Sequence, residues 1–390
     1  MPDIVFSFGP EETGIVQTLV DAFNQQHPAI NVTYEEMPAD TGRYRERLRT
    51  MFRRGGAGID VIAGDVIWPA EFASKDWISD LSGRFPQVER DKFLDEPIKA
   101  NTRQGKIWGV PWYTDVGLLY YRKDLLDQSG FPNPPKSWDD LKTIALKVKQ
   151  DHDIQHGYVF QGADDEGGVC NGLEYIWTHG GDVLDSTNQV IINSIEARNG
   201  LRTERHIVED GVAPQRVHTF TEEQSAERFL DGKAVFCRFW AFVFGFLGEP
   251  GVLSRNQVGV APLPHDQGIQ QGGGCLGGWN MFINAASAHQ NEGWKFIEFM
   301  TAEARQKRMA RAGSYLPTRE ALYQDPQLLN EVPILKLSKE ALEHARARPI
   351  HPRYLDMSEE MAEWFHRSLR GVVTPAQATE TLRKELSNIV

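Results

Sequence analysis

Pro111-Trp112-Tyr113-Thr114-Asp115-Val116-Gly117-Leu118-Leu119-Tyr120-Tyr121-Arg122-Lys123-Asp124-Leu125-Leu126 carries more structural information than any other segment of the chain. It sets two aromatics and a carboxylate at the mouth of an apolar strand and then passes directly into a helix. Shortly beyond it, Pro134-Pro135-Lys136-Ser137-Trp138-Asp139-Asp140-Leu141 opens a second helix. Ser137 is its N-cap, and Asp140 three residues later makes an Asp variant of the capping box.

Working outward toward the N-terminus, Ile4-Val5-Phe6-Ser7-Phe8 reads as a short buried strand. Ile15, Val16, Leu19, Val20 and Phe23 then recur at helical spacing until His27-Pro28 stops them. Ile30 to Tyr34 alternates as a strand, Tyr44, Leu48, Met51 and Phe52 mark a basic amphipathic helix, and Ile59 to Ala63 is a third strand. This β-α-β-α-β succession predicts a parallel sheet with helices on both faces. Ligands of such sheets sit at the carboxyl ends of strands, and Gly9 to Glu12, Asp65 and Tyr113 to Asp115 all fall at such ends.

Further along, Phe220 to Leu230 reads as a helix that turns through Asp231-Gly232-Lys233 into the strand Ala234-Val235-Phe236. Met281-Phe282-Ile283 reads as a strand returning to the N-terminal sheet, followed by an amphipathic helix from Glu292 to Met300. The tail from about Pro333 is helical. There is no internal repeat, low-complexity tract or Pro/Ser-rich linker. A chain of 390 residues exceeds what one core usually supports, so its two lobes are expected to exchange strands several times.

Composition narrows the partners. The chain is 41% hydrophobic and 10% aromatic, which is globular, and its net charge of −12 argues against a nucleic-acid partner. Cys170, Cys237 and Cys275 lack zinc-type spacing and leave at least one unpaired; three inert buried thiols are expected, with a Cys170–Cys275 disulfide as the alternative. The longest apolar run, Phe239 to Leu247, is far below the ~18 residues of a membrane span. The start, Met1-Pro2-Asp3, runs directly into a strand and reads as a mature protein without its signal segment.

Several segments together resemble the extracellular solute-binding proteins (family 1) that serve ABC-type sugar importers, most closely the trehalose/maltose-binding members. They are the opening segment, Asp65-Val66-Ile67-Trp68, Gln161 through Cys170 with Glu174-Tyr175, Val258 to Pro264, Leu276-Gly277-Gly278-Trp279 and Ala347-Arg348-Pro349-Ile350. The resemblance implies an α/β, two-lobed periplasmic-binding-protein fold of type II-like topology. Each lobe would be a mainly parallel sheet flanked by helices, with the ligand in the interlobe cleft. Residues 1–113 and about 280–325 would form the first lobe, and about 116–277 and 330–390 the second. Hinges would lie near 112–117, 276–281 and 315–333.

Carried over position by position, the resemblance implies sugar contacts at Glu12 (with Glu11 one residue away), Asp65, Tyr113, Asp115, Trp240, Gly278, Trp279 and Arg348. Two positions depart from the family. Its helix arginine falls on Tyr44, between Arg43 and Arg45, either of which could take the role, and a second-lobe tyrosine is Phe242. The implied ligand is an α-linked glucose disaccharide, with trehalose and maltose ahead of sucrose. No cofactor, metal or catalytic residue is implied. A monomer is expected, held in the periplasm or outside the cell, membrane-anchored in its precursor, and delivering sugar to the importer's permease subunits.

The chemistry suits a sugar independently. An ionised carboxylate only accepts, so one Asp can hold two adjacent hydroxyls, while arginine supplies the reverse polarity. Sugar C–H faces lie flat on Trp or Tyr. Other readings stand beside it. Asp65 could simply cap the next helix, Tyr120, Tyr121 and Trp138 read as packing, and Gln271 to Gly278 could be a flexible loop. His152 and His156 read as a solvated helix end rather than a metal site. Glu12, Asp65 and Asp115 around a sugar would also serve a glycoside hydrolase, and another solute such as a polyamine or peptide is a further alternative.

Overall fold

The computed structural model describes residues 1–390 apart from 12, 39–40, 267 and 270–272. The chain forms two units from interleaved segments. Unit 1 is Met1–Asp115 with Gly277–Lys336, and unit 2 is Val116–Leu276 with Leu337–Val390. Among the described residues the strands are, in chain order, β1 (Asp3–Phe8), β2 (Asn31–Glu36), β3 (Val61–Asp65), β4 (Thr102–Arg103), β5 (Lys106–Ile107) and β6 (Val110–Val116). They continue with β7 (Leu118–Arg122), β8 (His156–Val159), β9 (Ala234–Phe239), β10 (Val258–Ala261), β11 (Leu276–Ile283) and β12 (Leu316–Pro317).

In unit 1 the helix Ile15–Gln26 buries Ile15, Val16, Leu19, Val20 and Phe23. It ends because Pro28 disfavours helical backbone at His27. The sheet order is β12-β6-β11-β3-β1-β2. The parallel pairing expected from the sequence holds for β1 with β2 and β3. β11 and β12 run antiparallel to β3 and β6, so the sheet is mixed. A parallel neighbour needs a crossover helix, and β11 is fed directly by the segment leaving unit 2.

Helices cover both faces, and the alternation of β11 shows it. Met281 and Ile283 join the cluster of Phe6, Trp112 and Phe296, while Phe282 joins Tyr44, Trp68 and Phe72. β11 also begins five residues before the expected Met281. Gly278 has φ +121, and a Cβ there would fall 2.5 Å from the Tyr113 carbonyl, so the glycine lets two backbones close. The part of the glycine-rich run from Leu276 to Gly278 is therefore strand rather than loop.

In unit 2 the sheet order is β10-β7-β9-β8. The parallel pairing expected here is confined to β8–β9, since β7 pairs antiparallel with both β9 and β10. β7 follows β6 after a single residue, and no helix precedes it to form a crossover. The Ser137 capping box is present, with Asp140 N–H donating to Ser137 Oγ at 3.1 Å and Ser137 N–H to Asp140 Oδ2 at 3.2 Å. The helix Glu166–Thr178 is buried at every position from Val169 onward and packs against Ile195–Glu209 and Tyr354–Leu369. All three cysteines are free and buried. No helix among the described residues is long and apolar enough to cross a membrane.

Candidate functional site

In unit 1 the candidates gather at the carboxyl ends of β3 and β6. Asp65 ends β3 directly across from Trp279 on β11, and its Oδ1 accepts the Ile67 N–H at 3.0 Å. That bond tightens the turn after the strand rather than capping the helix that begins at Pro69. Tyr113 is half-buried on β6, edge-on to Phe8 and Trp112 and tilted against Tyr315 at 4.9 Å. Burial pushes its phenol well above the ordinary range, and Tyr315, Asp115, Asp65 and Glu11 act in the same direction. Asp115 is 7% exposed.

Glu12 lies outside the described residues. Its neighbour Glu11 accepts from the Thr13 N–H at 2.9 Å and the Tyr315 hydroxyl at 3.0 Å. Arg43 is exposed, and Arg45 donates from Nε to Glu71 Oε2 at 3.0 Å. Tyr44, where the family's arginine was expected, is fully buried. Its hydroxyl lies 2.7 Å from the Ala63 carbonyl and 2.9 Å from the Ser7 carbonyl, and its ring lies near-parallel to Trp279 at 5.9 Å. Trp279 is further braced edge-on by Phe8 at 5.0 Å and Trp68 at 5.7 Å, and stays half-exposed. Gly278, just before it, accepts the Val66 N–H at 3.1 Å.

In unit 2, Trp240 is 8% exposed. Its Nε1–H donates to Glu222 Oε1 at 2.5 Å, and the Arg238 guanidinium lies 4.0 Å from its ring. Phe242 is half-buried, edge-on to Phe239 at 5.6 Å. Arg348 donates from Nη1 to Glu166 Oε1 at 2.6 Å and from Nη2 to the Leu276 carbonyl at 3.4 Å. Glu166 also accepts from Tyr354 at 2.6 Å and from Ser358. Three donors thus hold the carboxylate that orients Arg348. A hollow of about 700 Å³ beside Glu166 is lined by none of Trp240, Phe242 and Arg348.

Sequence reasoning gave no role to Glu166, or to the buried pair of Glu174 and Arg238, bonded at 2.7 and 2.5 Å. Burial acts to lower the Arg238 pKa, but Glu174 outweighs it and holds the guanidinium above its ordinary value. A Glu inside an otherwise apolar helix was the available signal, because such a charge is almost never buried without a partner. Among the described residues no group of three or more His, Cys, Asp or Glu could hold a metal. His152 ends the helix Trp138–His152 and bonds Ser129, whereas His156 opens β8.

The description "Bacterial extracellular solute-binding protein" belongs to a family that matches residues 9–307. A Deinococcus radiodurans protein named "Probable ABC transporter-binding protein" is 32% identical over 339 residues, 85% of this chain and 80% of its own. Among solved structures, maltose-bound MalE3 of T. maritima is 35% identical, with 100% of both chains covered and a TM-score of 0.93. A Thermotoga lettingae solute-binding protein bound with α-D-tagatose, 23% identical, shares the fold at a TM-score of 0.87 over 99% of this chain and 100% of its own. The chain belongs to the bacterial extracellular solute-binding proteins: it is a sugar- or solute-binding component of an ABC transporter, periplasmic or extracellular, working with permease subunits and not as an enzyme.

Proposed function

We propose that the chain binds an α-linked glucose disaccharide, trehalose or maltose ahead of sucrose, and delivers it to the importer. One observation carries this reading: Asp65 is paired across the sheet with half-exposed Trp279, and Glu11 accepts from the hydroxyl of Tyr315, whose ring packs on Tyr113 at 4.9 Å. Carboxylates accept paired hydroxyls, and a half-exposed indole braced from behind offers a flat apolar face. The proposed set also takes in Asp115, Arg348 for the opposite polarity, and Trp240 and Phe242 for apolar surface. Glu12 and one of Arg43 or Arg45 complete the proposed set.

The maltose-bound relative at 35% identity supports the same ligand class. Charge-assisted hydrogen bonds of ~1.5–3 kcal/mol each, four or five in number, total roughly 10 kcal/mol. Ordering costs reduce that toward the ~8 kcal/mol of micromolar binding. The acidic, aromatic character of the unit 1 cluster also suits a cation such as a polyamine.

A thermal-shift panel of disaccharides, polyols, amino acids and polyamines tests the assignment, because a ligand of the folded state raises the melting temperature by mass action. Trehalose or maltose is expected to give the largest shift. A shift with polyamines alone would replace the sugar reading.

A further inference from the structure

The sulfur atoms of Cys170 and Cys275 lie 3.6 Å apart inside unit 2, although 105 positions separate them in sequence. Both are at most 1% exposed. The third cysteine, Cys237, has other neighbours: its sulfur faces the carbonyls of Ser225 and Arg238 at 3.8 and 3.3 Å.

The backbone already holds the close pair in place. Cys170 sits on the helix Glu166–Thr178, and one turn further along the same helix Glu174 accepts the Cys275 N–H at 2.8 Å. On its other side Cys275 bridges Arg346, and the neighbouring Leu276 N–H donates to the Arg346 carbonyl at 2.8 Å. A disulfide needs its sulfurs at about 2.05 Å, so the pair must approach by about 1.5 Å.

Members of this family work outside the cytoplasm, where disulfides form and persist. We propose that Cys170 and Cys275 are a modification site for a disulfide-bearing oxidant and that the working protein carries the bond between them. One thiolate attacks the oxidant's disulfide, releasing a thiol and leaving a mixed disulfide. The second thiolate then attacks that sulfur, the intramolecular bond forms and a second thiol departs. Two electrons and two protons pass to the oxidant, which ends as two thiols. The Cys275 hydrogen bond and burial hold the Cys170 thiol well above its ordinary range, so exchange takes place while unit 2 is folding. Once formed, the bond ties the segment leaving unit 2 at Leu276 to the unit's most buried helix, and it removes freedom from a long loop of the unfolded chain.

The full chain, reduced and denatured, is refolded in a buffer of oxidised and reduced glutathione, and in parallel in dithiothreitol. Three cysteines are present, and one titratable thiol is expected after oxidative refolding against three after reductive refolding. A non-reduced peptide map should join the Cys170 and Cys275 peptides. The oxidised protein should melt several degrees higher than the reduced one, with the gap retained in Cys237→Ser and lost in Cys275→Ser. Three titratable thiols after oxidative refolding, or a map that places Cys237 in the bond, would overturn the proposal. If Cys275→Ser does not fold, the thiol count and the map on the unaltered chain still decide.

Discussion

Glu174 Oε1 accepts the backbone N–H of Cys275 at 2.8 Å while the same carboxylate grips Arg238 through two hydrogen bonds. Gly117 lies against it too, since a Cβ at that position would fall 1.9 Å from Oε1. One buried carboxylate therefore supports the chain both just after it enters unit 2 and just before it leaves at Leu276. Gln161 completes the enclosure by accepting from Arg238 Nη1 at 3.2 Å and donating to the Arg238 carbonyl at 3.0 Å.

Arg238→Met should strand that carboxylate in the interior. Breaking one partner of a buried ion pair costs about 3–5 kcal/mol, and guanidinium unfolding of unit 2 followed by its tryptophans should register a loss of that order. A change under ~1 kcal/mol would mean that water screens the pair.

Glu204 gives the stability a pH dependence of definite sign. Its Oε2 is buried with no hydrogen-bond partner among the described residues, and burial raises its pKa to about 8. The unfolded chain releases this proton near the ordinary carboxylate pKa while the folded chain keeps it. Stability should therefore fall as pH rises through the window from the ordinary value to about 8, and level off above it. Glu204→Gln should flatten that slope and gain most at pH 8 and above. Melting curves from pH 5 to 9 read both effects, and parallel slopes in the two proteins would contradict the assignment.

Asp115→Ala should weaken disaccharide binding at least tenfold, because it leaves sugar hydroxyls without their acceptor in a dehydrated site. Asp153→Asn is the control. Asp153 is exposed with φ 52, a backbone region that asparagine tolerates, so its titration curve should match the unaltered protein. Isothermal titration calorimetry separates the two, and equal losses would remove Asp115 from the proposed set.

The local part of this fold is written in short segments. Ser137 with Asp140, and Ile15 through Phe23 with Pro28, specify helix ends and buried faces through residues three or four apart, and both are found as read. The positions of Asp65 and Asp115 near strand ends follow from the same local patterns. Long-range pairing was not legible. Nothing near Asp65 announces that Trp279 lies opposite it, and nothing near Glu166 announces Arg348, 182 positions away. The antiparallel entry of β11 was hidden likewise, because its apolar alternation fits either direction of pairing. At Tyr44 the family's residue does not carry over: its hydroxyl bonds the sheet backbone and its ring backs Trp279, a packing role that a charged residue at that point would not fill.

The place of β11 between β6 and β3 has a consequence in time. When residue 115 of unit 1 has been made, the sheet still has a gap in its middle, and the strand that fills it follows only after about 160 further residues. At roughly 5–20 residues per second that delay is on the order of 10–30 s. Throughout it the inner edges of β3 and β6 carry unpaired backbone groups flanked by Ile62, Ala63 and Trp112, the kind of edge that recruits other strands. The nascent first unit is thus open at its centre as well as at the edge of β6 that β12 covers later, and the interval before residue 283 emerges is when the chain most needs protection from its neighbours.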